Sequence, residues 1–292
     1  MTPQHTLPSM QGKTCLVTGA TTGIGFITAR ELARAGARVL IVARSPEKGA
    51  ETIRRIAEET GAQTVEALTA DLASQADIRA LAREVKSRVD RLDVLINNAG
   101  VILLDRRESV DGIEMTFAVN HLAYFLLTNL LLDLLKASSP ARIINVASGA
   151  HRGAKINFDD IGGREHYSGW RAYQQSKLAN ILFTRELAKA LTGTGVTANS
   201  LHPGYVNTQI FREEGLRGLI MRCAAGLFAI APERGAETTL YLASSPAVQG
   251  ESGEYYARCK PASISKEARN EATARRLWQF SEDLAGMKSQ TV

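Results

Sequence analysis

The sequence predicts an α/β fold of the doubly wound kind: one domain, residues 1–292, in which a seven-stranded parallel sheet carries helices on both faces. Three observations predict it. Short apolar runs rich in β-branched residues alternate with longer segments of helical period, the first run ends in a glycine-rich turn that opens a helix, and no internal repeat or linker interrupts the alternation. Predicted strands are Thr14–Thr18, Arg38–Ala43, Val65–Thr69, Val94–Asn97, Arg142–Val146, Thr197–Leu201 and Glu254–Ala257. The core spans about 13–257, and a helical tail follows at about 265–285.

The first predicted strand runs into Thr18-Gly19-Ala20-Thr21-Thr22-Gly23-Ile24-Gly25 and then a helical pattern. A strand, a glycine turn and a helix N-terminus bring backbone N–H groups and the positive end of a helix dipole up to a pyrophosphate. Gly19, Thr21, Thr22, Gly23 and Ile24 are therefore candidate dinucleotide-binding residues, although the spacing is not G-x-G-x-x-G and a plain flexible turn is the alternative. After the second strand an NAD site places an acid on the ribose hydroxyls; here the chain reads Val42-Ala43-Arg44-Ser45. Arg44 suits a 2′-phosphate, which predicts NADP (NADPH) as cofactor, with an exposed loop arginine as the alternative. Asp71, with Leu72 beside it, follows the third strand; its carboxylate meets an adenine amino group or caps a helix.

The fourth strand leads into Asn97-Asn98-Ala99-Gly100, and Asn120 lies in the next helical segment. Ser148 follows the fifth strand, and Tyr173-Gln-Gln-Ser-Lys177 opens a long helical pattern. A spacing of four puts phenol and ammonium on one helix face, about 6 Å apart along the axis. A cation there favours phenolate, which predicts a lowered Tyr173 pKa and general acid–base chemistry. Pro203-Gly204 follows the sixth strand. Two segments break the alternation, His151–Arg171 and Asn207–Ala231, and both are assigned to substrate contact.

Charge and composition narrow the function. Net charge is +5, but the basic residues are interleaved with acidic ones, so no nucleic-acid partner is expected. Three cysteines without a C-x-x-C pair indicate neither a disulfide framework nor a zinc site, and they fit a reducing compartment. The polar leader lacks an apolar signal segment, and Tyr124–Leu135 is too short to span a bilayer; a cytoplasmic location without a membrane span is expected. Five histidines show no ligand spacing, so no metal is expected, and His151 and His166 read as solvent-facing loop residues, with substrate contact as the alternative.

Taken together, the glycine turn, Asn97-Asn-Ala-Gly100, Asn120, Ser148, Tyr173-x-x-x-Lys177 and Pro203-Gly204 resemble the short-chain dehydrogenase/reductase family, whose Rossmann fold binds nicotinamide dinucleotides. The resemblance implies catalytic roles for Asn120, Ser148, Tyr173 and Lys177. Ser148 would hydrogen-bond the substrate oxygen, Tyr173 would move its proton, Lys177 would hold the nicotinamide ribose, and Asn120 would fix a relay water. It also implies that Asn98, Ala99 and Gly100 line the cofactor cleft, and that Pro203, Gly204, Val206 and Thr208 seat the nicotinamide carboxamide. The alternatives are a strand-end cap for Asn98 and a helix cap for Thr208.

The 24 residues between Ser148 and Tyr173, with Asn120-His-Leu122, His202-Pro-Gly204 and Tyr255-Tyr-Ala-Arg-Cys-Lys260, resemble the retinol dehydrogenase subgroup. That implies a lipophilic carbonyl or alcohol substrate, with dimers or tetramers as the family's usual state. Animal members carry an N-terminal anchor for which this sequence has no room, and Leu216–Ile230 reads as a pocket lid, core packing or bilayer contact. Two other readings stay open: a non-catalytic NADP sensor or scaffold, and a nucleotide-sugar epimerase or dehydratase.

Overall fold

Strand β1 (Thr14–Thr18) is buried along its whole length and pairs in parallel with β2 (Arg38–Ala43) on one side and β4 (Val94–Asn97) on the other. This central strand organises a sheet of order β3-β2-β1-β4-β5-β6-β7-β8, with β3 at Val65–Thr69, β5 at Ala141–Val146, β6 at Val196–His202, β7 at Tyr255–Ala257 and β8 at Lys260–Pro261. Strand order reverses at β1, so the crevice beyond the carboxyl ends of β1 and β4 is where this kind of sheet binds ligands. The computed structural model describes residues 7–204 and 231–287.

The sheet has eight strands rather than seven, and the eighth is antiparallel to β7. Its hairpin turns at Arg258 (φ 53°) and Cys259 (φ 58°), two residues in a conformation that Asn-Gly normally announces. Arg-Cys carries no such signal, and a two-residue edge strand is also where a proline such as Pro261 is tolerated.

Helices α1 (Gly23–Arg34), α2 (Pro46–Thr60), α3 (Gln75–Arg88), α4 (Met115–Ala137), α5 (Gly169–Ala190), α6 (Pro232–Ser244) and α7 (Glu271–Leu284) cover the faces. Ser45, Ser74 and Ser168 cap α2, α3 and α5 by accepting a first-turn backbone N–H, and Asn270 does the same for α7. Helix α4 runs 23 residues and is long and apolar enough to cross a membrane by composition, but 78% of its apolar window is buried in the protein. Its length exceeds the Tyr124–Leu135 stretch because the helix begins at Met115, with buried Thr116 and Phe117 in its first turn, outside the most apolar run. Trp278 of α7 packs against Phe125 of α4 and Phe183 of α5, with ring centroids 5.1 and 5.8 Å away. The C-terminal helix therefore closes the outer side of this helix pair.

At the far end of the sheet, Asp93 is 2% exposed and ties β1 to β4: its carboxylate accepts from Lys13 Nζ (3.0 Å), the Thr14 amide (2.9 Å) and Arg91 Nε (3.0 Å). Burial acts to raise its pKa, but the bonds from Arg91, Thr14 and Lys13 outweigh that and hold it below the ordinary carboxylate range. A depressed folded pKa stabilises above the unfolded value, about 3.9, and the contribution is lost as pH falls through the folded pKa. Asp93→Asn should lower unfolding free energy at pH 7 by about 2 kcal/mol, the half-exposed cations keeping the effect below that of a fully buried pair. Urea titrations of both proteins check this, and the gap between them should shrink below pH 4.

Candidate active site

The turn after β1 is held by its neighbour strand. Thr18 Oγ1 accepts from the Asn98 and Ala99 amides (2.9 and 3.1 Å), and Asn98 Nδ2 donates to the carbonyls of Thr18 (2.9 Å) and Gly19 (3.2 Å). Gly19 has φ 64°, and a β-carbon there would sit 2.8 Å from Ala99 Cα. At Gly25 a β-carbon would collide with the Gly19 carbonyl, so only glycine lets α1 start this close to the strand end. Thr22 precedes α1 without a side-chain cap, in contrast to the serine caps of α2, α3 and α5. The first-turn amides of α1 thus keep their donors for an anion, and the backbone at Gly23 and Ile24 fits a pyrophosphate. Thr21 lies half-buried in the same turn.

Beyond β2, Arg44 is exposed and has no ion-pair partner among the described residues. A free guanidinium at that strand end fits a phosphate. Asp71 is exposed, but its Oδ1 accepts from the Ala73 amide (3.0 Å), a local turn; the cap of α3 is Ser74, and Leu72 is buried below.

Asn120 sits in a π-helical turn, Ala118–Leu122, within α4. Such an inserted residue re-aims side chains and is common at functional sites. Its Oδ1 accepts from the Val101 amide (2.8 Å), while Nδ2 donates to Val101 O (3.0 Å) and Ser176 Oγ (3.0 Å). Ser176 in turn donates to the Tyr173 carbonyl (2.8 Å), so Asn120 and the helix of Tyr173 and Lys177 form one buried unit. A β-carbon on Gly100 would lie 3.5 Å from Asn120 Oδ1 and 3.6 Å from Lys177 Nζ, which puts both polar heads on one glycine.

Lys177 is 2% exposed, donates to Val146 O (2.9 Å), and holds its ammonium 5.7 Å from the Tyr173 ring centre. Burial pushes its pKa down to about 7. Burial also raises the Tyr173 phenol, against a hydrogen bond with Ser148 that lowers it. The direction is opposite to the one the Tyr-x-x-x-Lys spacing predicts. The reason is that desolvation acts on both groups, and a lysine near 7 is not the full positive charge the spacing argument assumes. Ser148 Oγ accepts from the Ala150 amide (3.1 Å), and its hydroxyl is the donor of the bond that lowers the Tyr173 phenol.

Of the loop histidines, His166 is exposed as expected, whereas His151 is fully buried. Its Nδ1 lies 2.7 Å from Ser148 O, and its Nε2 accepts from the Ser265 amide (3.2 Å), so it ties the Ser148 turn to the tail. Pro203 and Gly204 (φ 90°) end β6. Val206, Thr208 and the Leu216–Ile230 segment lie outside the described residues. Sequence reasoning missed Thr18 and Ser176, whose hydroxyls hold the glycine turn and Asn120; both stand in quoted motifs, but no spacing reveals such bonds.

A profile of the short chain dehydrogenase family matches residues 13–217. The chain belongs to this family. Within it, human retinol dehydrogenase 14 is 45% identical over 95% of this chain and 88% of its own length, and mouse retinol dehydrogenase 12 is 46% identical over 95% and 87%. This short-chain dehydrogenase thus falls in the retinol dehydrogenase subgroup and is an oxidoreductase. A solved structure from Mycobacterium paratuberculosis shares 36% identity at a TM-score of 0.80, covering 97% of both chains. The Pseudomonas aeruginosa RhlG/NADP complex shares 32% identity at 0.68, covering 86% of this chain and 96% of that one.

Proposed function

We propose that this oxidoreductase uses NADP to interconvert a lipophilic aldehyde or ketone and its alcohol, with Tyr173, Ser148, Lys177 and Asn120 as the working residues. The observation that carries the reading is the meeting of Asn120 Oδ1 and Lys177 Nζ beside Gly100, with the Tyr173 ring centre 5.7 Å from that ammonium. The cofactor, when bound, would supply the hydride as NADPH and accept it as NADP+. Its pyrophosphate would lie on the uncapped amides of α1, its 2′-phosphate on Arg44, and its nicotinamide half along Ala99 and Gly100. In this reading Asn98 works from behind, clamping the glycine turn.

The substrate oxygen would accept from the Ser148 hydroxyl, which without substrate is hydrogen-bonded to the Tyr173 phenol. A buried phenol kept protonated at neutral pH is a ready proton donor to the alkoxide that reduction generates, and the reverse reaction uses the same pair as acceptor. Lys177, near neutrality in pKa, can take up or release a proton behind the phenol while holding the ribose. Asn120 Oδ1 accepts one hydrogen bond and has a second lone pair for a relay water. A reducing, cytoplasmic setting belongs to the same proposal, supported by three cysteines without a C-x-x-C pair.

Following 340 nm absorbance with NADPH against retinal, medium-chain aldehydes, quinones and keto-steroids tests the reading. Oxidation of NADPH by an apolar carbonyl is expected; tight binding with no oxidation by any of them overturns it in favour of a sensor. Arg44→Ala should weaken NADPH binding by about 10- to 100-fold, the value of a charge-assisted contact, with NADH binding unchanged. Equal losses for both cofactors in a fluorescence titration refute the 2′-phosphate role.

A further inference from the structure

Among the described residues the exposed large apolar side chains are Val110 and Trp170, and Trp170, 51% exposed, is the one beside the reacting groups. Its indole stacks on the Tyr173 ring, centroids 5.8 Å apart and planes 30° from parallel. Positions 170, 173 and 177 fall within about 60° of one another round a helix. They form one stripe whose burial deepens along α5, from Trp170 at 51% to Tyr173 at 8% and Lys177 at 2%. The exposed indole thus lies on the same helix stripe as the buried phenol and the still more buried ammonium.

The first turn of α5 is packed closely against the segment around Leu103. A β-carbon on Gly169 would collide with the Leu103 carbonyl, and Tyr167 OH is tied to Leu103 O and Glu114 Oε1 (both 3.1 Å), so the helix start is pressed on that segment. An exposed tryptophan held in place next to a working phenol leaves a large apolar face uncovered until something apolar covers it.

We propose that Trp170 is a specificity-determining residue: its indole is the shelf on which the apolar chain of the substrate lies when the carbonyl reaches Tyr173. The assignment rests on Tyr173 being the reacting phenol. It implies a preference for carbonyl compounds with a long or flat apolar substituent, because a short aldehyde ends before it reaches the indole.

Trp170→Ala and Trp170→Phe are assayed with NADPH against decanal and propanal, and retinal quenching of tryptophan emission is measured without turnover. For Trp170→Ala, KM for decanal should rise about tenfold with kcat for propanal unchanged, and Trp170→Phe should recover most of the loss. Retinal should quench the parent more strongly than Trp170→Ala. Equal falls in kcat for both aldehydes would make Trp170 a mere buttress of the phenol and overturn the proposal, as would unchanged KM and quenching. If Tyr173→Phe keeps parental turnover, the catalytic reading fails on its own, and the quenching comparison still judges the shelf.

Discussion

Replacing Tyr173 by phenylalanine should lower kcat/KM by about 10²- to 10⁴-fold while NADPH affinity stays within twofold, the range a positioned general acid contributes. The ring keeps its stack with Trp170 and its place over Lys177, so only the hydroxyl is lost. The phenol is 8% exposed, which leaves little room for a water to replace it. Stopped-flow and steady-state rates on purified variant, with circular dichroism to confirm folding, make the comparison. Turnover at the parental rate, with contaminating activity excluded, would remove Tyr173 from the chemistry and the proposed mechanism with it.

The second large effect separates activity from stability. Lys177→Met should reduce kcat/KM by about 10²-fold or more and yet raise unfolding free energy at pH 7 by about 2 kcal/mol, since a buried amine is exchanged for an apolar chain of similar length. The sign follows from the pKa. A folded value pushed down to about 7 from 10.5 destabilises the fold fully below pH 7, where both states are protonated, and less as pH rises toward 10.5. The stability gain of the variant should therefore be largest at and below neutrality and fade by pH 10. Denaturant titrations at pH 6, 8 and 10 read it directly. A variant less stable than the parent at pH 6 would show that the bond to Val146 O outweighs the desolvation of the amine.

The strands show what was legible and why. The ends of β1 to β4 coincide with the predicted ones, most plainly at β1 and β4, apolar runs bounded by Lys13 and Gly19 and by Asp93 and Asn98. β8 was invisible, since two exposed residues have no pattern to read. The proposed catalytic set was legible as motifs, whereas its electrostatics were not. Spacing along α5 pairs a phenol with an ammonium, but the sign of each shift depends on how much water the fold removes, and here burial governs both. His151 shows the same limit from the other side: its polar, glycine-rich surroundings read as surface, yet Ser265, more than a hundred positions later, closes over it.

From the sequence alone came the alternation of strands and helices, the glycine turn, the arginine in place of an acid, and the pairing of Tyr173 with Lys177, because these are properties of residues a few positions apart. The tertiary structure decided which of these groups meet: Asn98 behind the glycine turn, Asn120 and Lys177 on Gly100, Trp170 over the phenol. Local periodicity encodes direction along one element. Desolvation and contact between elements arise only once the sheet and its helices have packed.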